Sequence, residues 1–241
     1  MLRIAVAGAL GRMGRVACTA LQGTADITFL GGFARTRVPA ERIVDDLDEL
    51  FALKPDVLLD LTTQPSSVEI SMRAVTRGIR PVIGATGWSA QDRATLVARV
   101  EQHKLGAMLV PNFSIGAALM MRFAGQAAPY FPSVEIIELH HDEKRDAPSG
   151  TSRLTAERIS AAGDAKSVPI HSVRMRGLVA HQEVLFGNDG ELLTIRHDSL
   201  SRDSFVAGML AAVRHVMDVR GVVVGLDEVL RREHNDAGKP A

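Results

Sequence analysis

The sequence predicts an α/β protein with a doubly wound parallel sheet at its amino end and a second domain of mixed α+β type. Up to about residue 111, apolar strand-like stretches alternate with amphipathic helical ones. This rhythm is typical of parallel sheets covered by helices on both faces. After Pro111-Asn112 the alternation is lost, and helices and strands follow one another irregularly. We therefore predict that a separate domain begins there.

The elements of the first half follow from short-range patterns. Apolar positions after the first strand recur at helical spacing, from Met13 to Leu21. A second helix is expected at Ser66–Glu69, which has the form of a capping box, and a third from Ser89 to about Gln102. The predicted strands are Ile4–Ala7, Ile27–Gly31, Asp56–Leu61, Pro81–Gly84 and Ala107–Val110.

The second half predicts helices near Gly116–Ala128 and Thr151–Ala162, with a final helix near Phe205–Val219 that returns to the first domain. Its predicted strands are Val134–His140, His171–Leu178, His181–Phe186 and Leu192–His197. We therefore expect one domain over 1–113, joined by a C-terminal helix at 214–241, and a second domain over 114–213.

Composition excludes several classes of protein. Lys and Arg together number 28, as do Asp and Glu, so the formal net charge is zero. A neutral chain lacks the positive field that non-specific binding to nucleic acid or membrane requires. No apolar run is long enough to span a bilayer, and the amino end shows no signal peptide. The single cysteine, Cys18, fits a reducing compartment, so we expect a cytoplasmic protein that binds no metal.

A glycine-rich loop joins the first strand to the first helix. It reads Gly8-Ala9-Leu10-Gly11-Arg12-Met13-Gly14. Glycines at this spacing permit a tight turn, close approach of the backbone to a pyrophosphate, and close packing of helix on strand. The helix start then offers amides and a positive dipole end to phosphates. The loop therefore favours a Rossmann-type dinucleotide site over a merely structural turn.

The end of the second strand bears on the choice of cofactor. An acidic residue about 20 positions after the loop ordinarily binds the ribose 2′-hydroxyl of NAD. Here no carboxylate occurs before Glu41, and Arg35 stands in this segment with Arg37 as the alternate. An arginine suits a 2′-phosphate. We therefore expect NADPH to be preferred and NADH to be possible, with solvent-exposed arginines as the alternative interpretation.

The segment from residue 138 to residue 151 holds the highest concentration of side chains that can transfer protons or bind anions. His140 and His141 leave a strand and Lys144 follows, and imidazole and ammonium groups donate protons and stabilise negative charge. Hydroxyls and helix amides at Ser149, Gly150 and Thr151 form a seat for an anion. The pattern favours catalysis on a small carboxylate substrate over a packed histidine and a solvated lysine.

With these motifs, the chain resembles the dihydrodipicolinate reductase family, whose members are also called 4-hydroxy-tetrahydrodipicolinate reductases. The resemblance runs through nearly the whole chain in order. Besides the glycine loop, the matching motifs are Asp60-Leu61-Thr62, Gly84-Ala85-Thr86-Gly87, Val110-Pro111-Asn112-Phe113-Ser114, Glu138-Leu139-His140-His141 with Lys144, and Asp146-Ala147-Pro148-Ser149-Gly150-Thr151.

The resemblance implies NAD(P)H-dependent reduction of a cyclic dicarboxylate in the diaminopimelate route to lysine. It implies that His140 is the proton donor or acceptor and Lys144 a second donor, and that His141, Gly150 and Thr151 bind the substrate carboxylates. It also implies that the glycine loop, Gly84–Thr86 and Val110–Phe113 hold the dinucleotide. Family members typically form homotetramers through the sheet of the second domain, which implies the same assembly here.

Two other functions remain open from the sequence. One is another two-domain NAD(P)-dependent amino-acid dehydrogenase, and the other is a non-catalytic module that senses NAD(P). The first class lacks the run from His140 to Thr151, and the second needs no proton donors.

Overall fold

The computed structural model describes residues 1–163 and 167–231. Internal contacts divide the chain into two compact units. The first unit comprises Met1–Phe113 and the described residues from Phe205 onward, and the second is Ser114–Ser204. Across the two described ranges, no helix combines the length and the apolar character that a membrane crossing requires.

A seven-stranded sheet forms the centre of the first unit. Its strands are β1 (Leu2–Ala7), β2 (Ile27–Phe33), β3 (Ile43–Val44), β4 (Val57–Asp60), β5 (Arg80–Ile83), β6 (Gly106–Leu109) and β11 (Gly221–Val224). They lie in the order β11-β6-β5-β4-β1-β2-β3, and every neighbouring pair is parallel. The strand order reverses between β1 and β4, which is where doubly wound sheets bind their ligands.

Helices cover both faces of this sheet. They are α1 (Arg12–Gln22), α2 (Leu47–Ala52), α3 (Ser66–Thr76), α4 (Ala90–Gln102) and α7 (Val206–His215). Along β1, Ala5 and Ala7 belong to a core that α2 and α3 complete. Ile4 and Val6 point to the opposite face and are also fully buried. Burial on both faces explains why the strands read as almost continuous apolar runs.

The second unit has a four-stranded mixed sheet with two helices. Its strands are β7 (Ser133–His140), β8 (Ile170–Arg174), β9 (Ala180–Asn188) and β10 (Glu191–Ser199), and its helices are α5 (Ile115–Ala127) and α6 (Gly150–Ala162). The order is β10-β9-β7-β8, with β7 and β8 parallel and the other pairs antiparallel. Val134, Ile136 and Phe186 pack on one face with α5 and α6. The predicted fold class is confirmed in both units.

The predicted helix over 214–241 is wrong. Helix α7 ends at His215, and β11 pairs with β6 at the edge of the first sheet. Three consecutive β-branched residues, Val222–Val224, favour a strand, and the glycines on either side have positive φ, which a helix does not use. Residues 232–241 of the predicted helix lie outside the described residues.

Two other local predictions need correction. No side chain caps α3 among the described residues, because the helix already begins at Ser66 and its N-cap position is Pro65, whose side chain has no hydrogen-bond acceptor. Strand β8 ends at Arg174, short of the predicted Leu178, since the chain turns at Gly177, where φ is +87°. By contrast, Ser89 caps α4 as predicted, in a capping box with Asp92.

Gly14 yields a stability prediction. A Cβ at this position would lie 2.1 Å from the Gly8 carbonyl oxygen, which is backbone and cannot move aside. We expect Gly14→Ala to lower the free energy of unfolding by about 2 kcal/mol or more, as overpacking does. Urea unfolding of the full chain measures it. Gly125→Ala is the control, because a Cβ there meets nothing within 4 Å in a helix and should stabilise by about 0.5–1 kcal/mol. Equal stability of the two variants would contradict the packing argument.

Candidate functional site

The glycine loop brings the start of α1 against β1 and β4. Gly8 has φ +80°, and a Cβ there would lie 2.7 Å from the Leu61 carbonyl oxygen. Helix α1 begins after Gly11, which as a glycine has no side chain to cap the first amides, and its first turn carries no acid. The first amides of a helix lack partners within that helix. The loop therefore presents amides and a positive helix end without a competing negative charge.

A cavity of about 490 Å³ opens above this loop. It lies at the carboxyl ends of β1, β2 and β4, where the order of strands reverses. Its lining residues are Gly8, Leu10, Gly11, Phe33, Ala34, Arg35, Thr36, Leu61, Thr62, Thr63, Ser66 and Ile70. Volume, position and the uncapped helix start all fit a dinucleotide, so the first unit can hold NAD(P).

The two arginines after β2 have different surroundings. Arg35 is exposed and lines the cavity beside Thr36. Arg37 instead pairs with Glu49 and, at 2.7 Å, with Asp45, and these carboxylates hold the pKa of its guanidinium above its usual range. Arg35 is thus the arginine on the cavity wall, and Arg37 belongs to a surface ion-pair cluster.

The other two predicted cofactor segments meet at the ends of β5 and β6. The Val110 amide donates to the Ile83 carbonyl at 2.8 Å, and a Cβ on Gly84 would lie 2.7 Å from the Phe113 ring. Gly84–Thr86 and Val110–Phe113 therefore lie side by side. They do not line the described cavity, which is bounded by the ends of β1, β2 and β4.

Asp60 fixes the loop that borders the cavity. Its carboxylate is fully buried at the end of β4 and accepts hydrogen bonds from the Thr62 amide at 2.9 Å and from the hydroxyls of Thr62, Ser67 and Ser71. Burial raises the pKa of this carboxyl, and the hydroxyl donors oppose that shift. These bonds explain why the sequence after β4 is rich in hydroxyl side chains.

In the second unit, the buried carboxylate of Glu138 lies at the centre of the polar segment. Arg174 donates to both of its oxygens, at 2.8 and 2.7 Å. The Ser172 hydroxyl and the Ser149 amide also donate to it, at 2.6 and 3.2 Å. Nδ1 of His140 is the fifth donor atom, after two from Arg174 and one from each serine. Burial would raise the pKa of Glu138, but Arg174, Ser172 and His140 together hold it below its usual range.

His140 lies two residues after Glu138, on the same face of β7. Because the ionised Glu138 can only accept, Nδ1 of His140 carries the proton of this hydrogen bond. The other ring nitrogen, Nε2, is then the atom available for proton transfer. Burial lowers the pKa of His140, with smaller contributions from Lys144 and Arg174, while Glu138 raises it.

Lys144 lies in the loop that follows β7. Its ammonium group donates to the Asp146 carboxylate at 2.7 Å, and the loop closes with the Lys144 amide donating to the His141 carbonyl at 3.1 Å. Arg174 donates to the Asp146 carbonyl at 2.7 Å. The two predicted proton donors, His140 and Lys144, are therefore held by one set of contacts.

The segment predicted to bind an anion lies at the start of α6. The Ser149 hydroxyl caps this helix, accepting from the Ser152 amide at 3.1 Å, and is 2% exposed. Gly150 and Thr151 follow as the first helical residues, with no acid in the first turn. His141 is half-buried where β7 ends. Ser149 thus fixes the start of the helix whose first residues are Gly150 and Thr151.

Three residues with central contacts have no role predicted from the sequence: Glu138, Arg174 and Asp60. The contact of Glu138 with His140 could have been predicted from the sequence, because Glu138 precedes His140 by two positions and strand geometry places the two on one face. Arg174 lies 36 residues from Glu138, and only the pairing of β7 with β8 brings it there. Within 1–163 and 167–231, no group of three or more His, Cys, Asp or Glu side chains is placed to hold a metal ion.

Comparison with known proteins gives consistent relatives. Residues 2–113 match the family model "Dihydrodipicolinate reductase, N-terminus", and residues 116–230 match "Dihydrodipicolinate reductase, C-terminus". The 4-hydroxy-tetrahydrodipicolinate reductase of Geobacillus kaustophilus is 42% identical over 95% of this chain and 99% of its own length. That of Bacillus licheniformis is 41% identical, over 95% and 98%.

A solved structure agrees with these relatives. The dipicolinate-bound dihydrodipicolinate reductase from Paenisporosarcina sp. TG-14 superposes with a TM-score of 0.83 at 37% identity, covering 95% of this chain and 99% of that one. The family models together span nearly all of the chain, and the named relatives each cover 95% of it. This chain belongs to the dihydrodipicolinate reductase family and is an NAD(P)-dependent oxidoreductase.

Proposed function

We propose that this protein reduces 4-hydroxy-tetrahydrodipicolinate to tetrahydrodipicolinate with NAD(P)H and loss of water, a step in diaminopimelate and lysine biosynthesis. The observation that carries the proposal is the cluster in the second unit: His140 held by Glu138, with Lys144 beside it, next to the start of α6. Family membership supports the same reaction.

The chemistry divides between the cofactor and the chain. NAD(P)H supplies the hydride, and the 4-hydroxyl leaves as water. Hydride addition to the conjugated imine leaves negative charge, which His140 Nε2 or the Lys144 ammonium neutralises by donating a proton. Gly150, Thr151 and His141 bind the two carboxylates, with Ser149 holding the helix end in place.

We further propose that NADPH is preferred and that NADH is accepted. The support is the exposed Arg35 on the cavity wall and the lack of a carboxylate between β2 and Glu41. The glycine loop, from Gly8 to Met13, would hold the pyrophosphate. Gly84–Thr86 and Val110–Phe113 would lie near the nicotinamide.

We also propose that the protein forms a homotetramer through the four-stranded sheet of the second unit. The face of this sheet opposite α5 and α6 carries Ile137, Leu139, Val173 and Leu185, all of them half-buried or exposed. A sheet face with this many apolar side chains is typical of an interface. A cytoplasmic location, with neither nucleic acid nor membrane as partner, stays a prediction from the neutral charge and the single cysteine.

The two alternative functions, an NAD(P)-sensing module and another two-domain dehydrogenase, differ in whether they require the proton-donor cluster. An NAD(P)-sensing module would need the cavity of the first unit but not a proton-donating pair in the second. Another two-domain dehydrogenase would act on a different substrate. The proton-donor cluster and the named relatives favour the reductase over both.

Lys144 tests the reaction. With the condensation product of pyruvate and aspartate semialdehyde as substrate, wild type should oxidise NAD(P)H, followed by absorbance. Lys144→Ala should lose about 100-fold or more in kcat, because it removes a proton donor, while KM for the cofactor stays within about twofold.

The matched control is Lys104→Ala, a lysine at the end of α4 in the first unit. It should keep wild-type kcat. If wild type consumed neither cofactor, the assignment would be wrong; if Lys144→Ala kept full turnover, Lys144 would not be a proton donor.

Arg35 tests the cofactor preference. Arg35→Asp should weaken NADPH by about tenfold or more relative to NADH, since it replaces a cation that pairs with the 2′-phosphate by an anion. Fluorescence titration with both cofactors gives the ratio. Arg37→Ala should leave that ratio unchanged, because Asp45 and Glu49 already occupy its guanidinium. An unchanged NADPH preference in Arg35→Asp would reject the role of Arg35.

Leu185 tests the assembly. Light scattering coupled to gel filtration should give about four times the 25.9 kDa chain mass for wild type. Leu185→Glu should reduce this mass, because a charge would be buried without a partner. Leu53→Glu, at a 45% exposed position in the first unit, should remain tetrameric. A tetramer that survives Leu185→Glu would argue against this face as the interface.

A further inference from the structure

We infer that Glu138 and Arg174 are positioning residues: the Glu138 carboxylate orients the His140 ring, and the Arg174 guanidinium connects that carboxylate to the loop that carries Lys144. This inference rests on the proposed function, since both residues act through the two proposed proton donors. Neither residue is itself proposed to react.

Glu138 has no capacity left for chemistry of its own. Its Oε1 accepts from the Ser149 amide, the Ser172 hydroxyl and Arg174 Nη2, and its Oε2 accepts from Arg174 Nη1 and His140 Nδ1. The side chain is completely buried. A carboxylate enclosed by five donors and closed to solvent does not exchange protons with a substrate, but it does fix the orientation of each donor.

Arg174 extends this control to the second proton donor. The two terminal nitrogens of its guanidinium contact both oxygens of Glu138, and Nη2 also donates to the Asp146 carbonyl at 2.7 Å. The Asp146 carboxylate in turn accepts from Lys144 at 2.7 Å. Arg174 makes these contacts through two separate nitrogens held in one plane, a geometry that the single nitrogen of a lysine does not reproduce.

The charges around His140 set the pH at which its ring titrates. Loss of a purely structural contact would not shift this midpoint. Three charged groups face the ring: Glu138 on β7, Arg174 on β8 and Lys144 in the loop. Glu138 raises the pKa of His140, and Arg174 and Lys144 lower it. Removing the Glu138 charge must therefore move the His140 titration to lower pH.

The first test is Glu138→Gln, with Glu157→Gln on the exposed face of α6 as its matched control. NMR titration of the histidine Cε1 protons, with His140→Gln identifying the signal, should show the His140 midpoint at lower pH. With the condensation product as substrate, kcat should fall about tenfold or more, while KM for NADPH stays within about twofold. Glu157→Gln should match wild type in all three.

The second test is Arg174→Lys, with Arg176→Lys, at a 93% exposed side chain, as its control. Because a cation stays beside Glu138, the His140 midpoint should move less than in Glu138→Gln. Turnover should still fall about tenfold, since the bond to the Asp146 carbonyl and with it the placement of Lys144 are lost.

If Glu138→Gln does not fold, the double variant Glu138→Gln with Arg174→Met removes both charges and leaves none buried without a partner. It should fold with a His140 midpoint below that of wild type, because Glu138 raises the His140 pKa by more than Arg174 lowers it. Wild-type kcat in folded Glu138→Gln or Arg174→Lys, or an unmoved His140 midpoint in Glu138→Gln, would overturn the inference. The midpoint is measured without substrate, so an inactive wild type would refute the proposed function and leave this test standing.

Discussion

Each unit of the protein buries one carboxylate at the end of a sheet strand, and the arrangement of the functional loops depends on satisfying it. A buried carboxylate without donors would cost several kcal/mol. Asp60 in the first unit and Glu138 in the second are both fully buried. The donors to Asp60 come from the loop bordering the cavity and from α3. Those to Glu138 come from β7, from β8 and from the connection between β7 and α6.

The two carboxylates are satisfied by different chemistry, with opposite results. Asp60 receives three hydroxyls and an amide but no cation, and burial raises its pKa. Glu138 receives a guanidinium, and its pKa is lowered. Hydrogen-bond donors alone suffice for Asp60 to order a loop. An ionised Glu138 is needed to fix which nitrogen of His140 carries the proton, so the arginine lies where acid–base chemistry is proposed.

Local signals in the sequence were enough to predict the glycine loop, the helix that follows it and the capping of α4 by Ser89, because each depends on residues close in the chain. Ser66–Glu69 also had a capping pattern, but it failed, since α3 begins one residue earlier and places Pro65, which has no side-chain acceptor, at the N-cap. Strand β11 and the contact between Arg174 and Glu138 depend on partners far along the chain, β6 and β8. The periodicity of apolar residues within one segment carries no information about partners so far along the chain.

Both ligands of the proposed reaction are anions, yet the chain has no net charge. Most cations near the sites are already paired: Arg174 with Glu138, Lys144 with Asp146, and Arg37 with Asp45 and Glu49. Helix amides can then add to the attraction that the exposed Arg35 exerts. Helices α1 and α6 both start without an acid in the first turn, next to the cavity and to the proton-donor cluster respectively. Because amide dipoles act only within a turn or so, such sites select anions that fit closely and give no general affinity for polyanions.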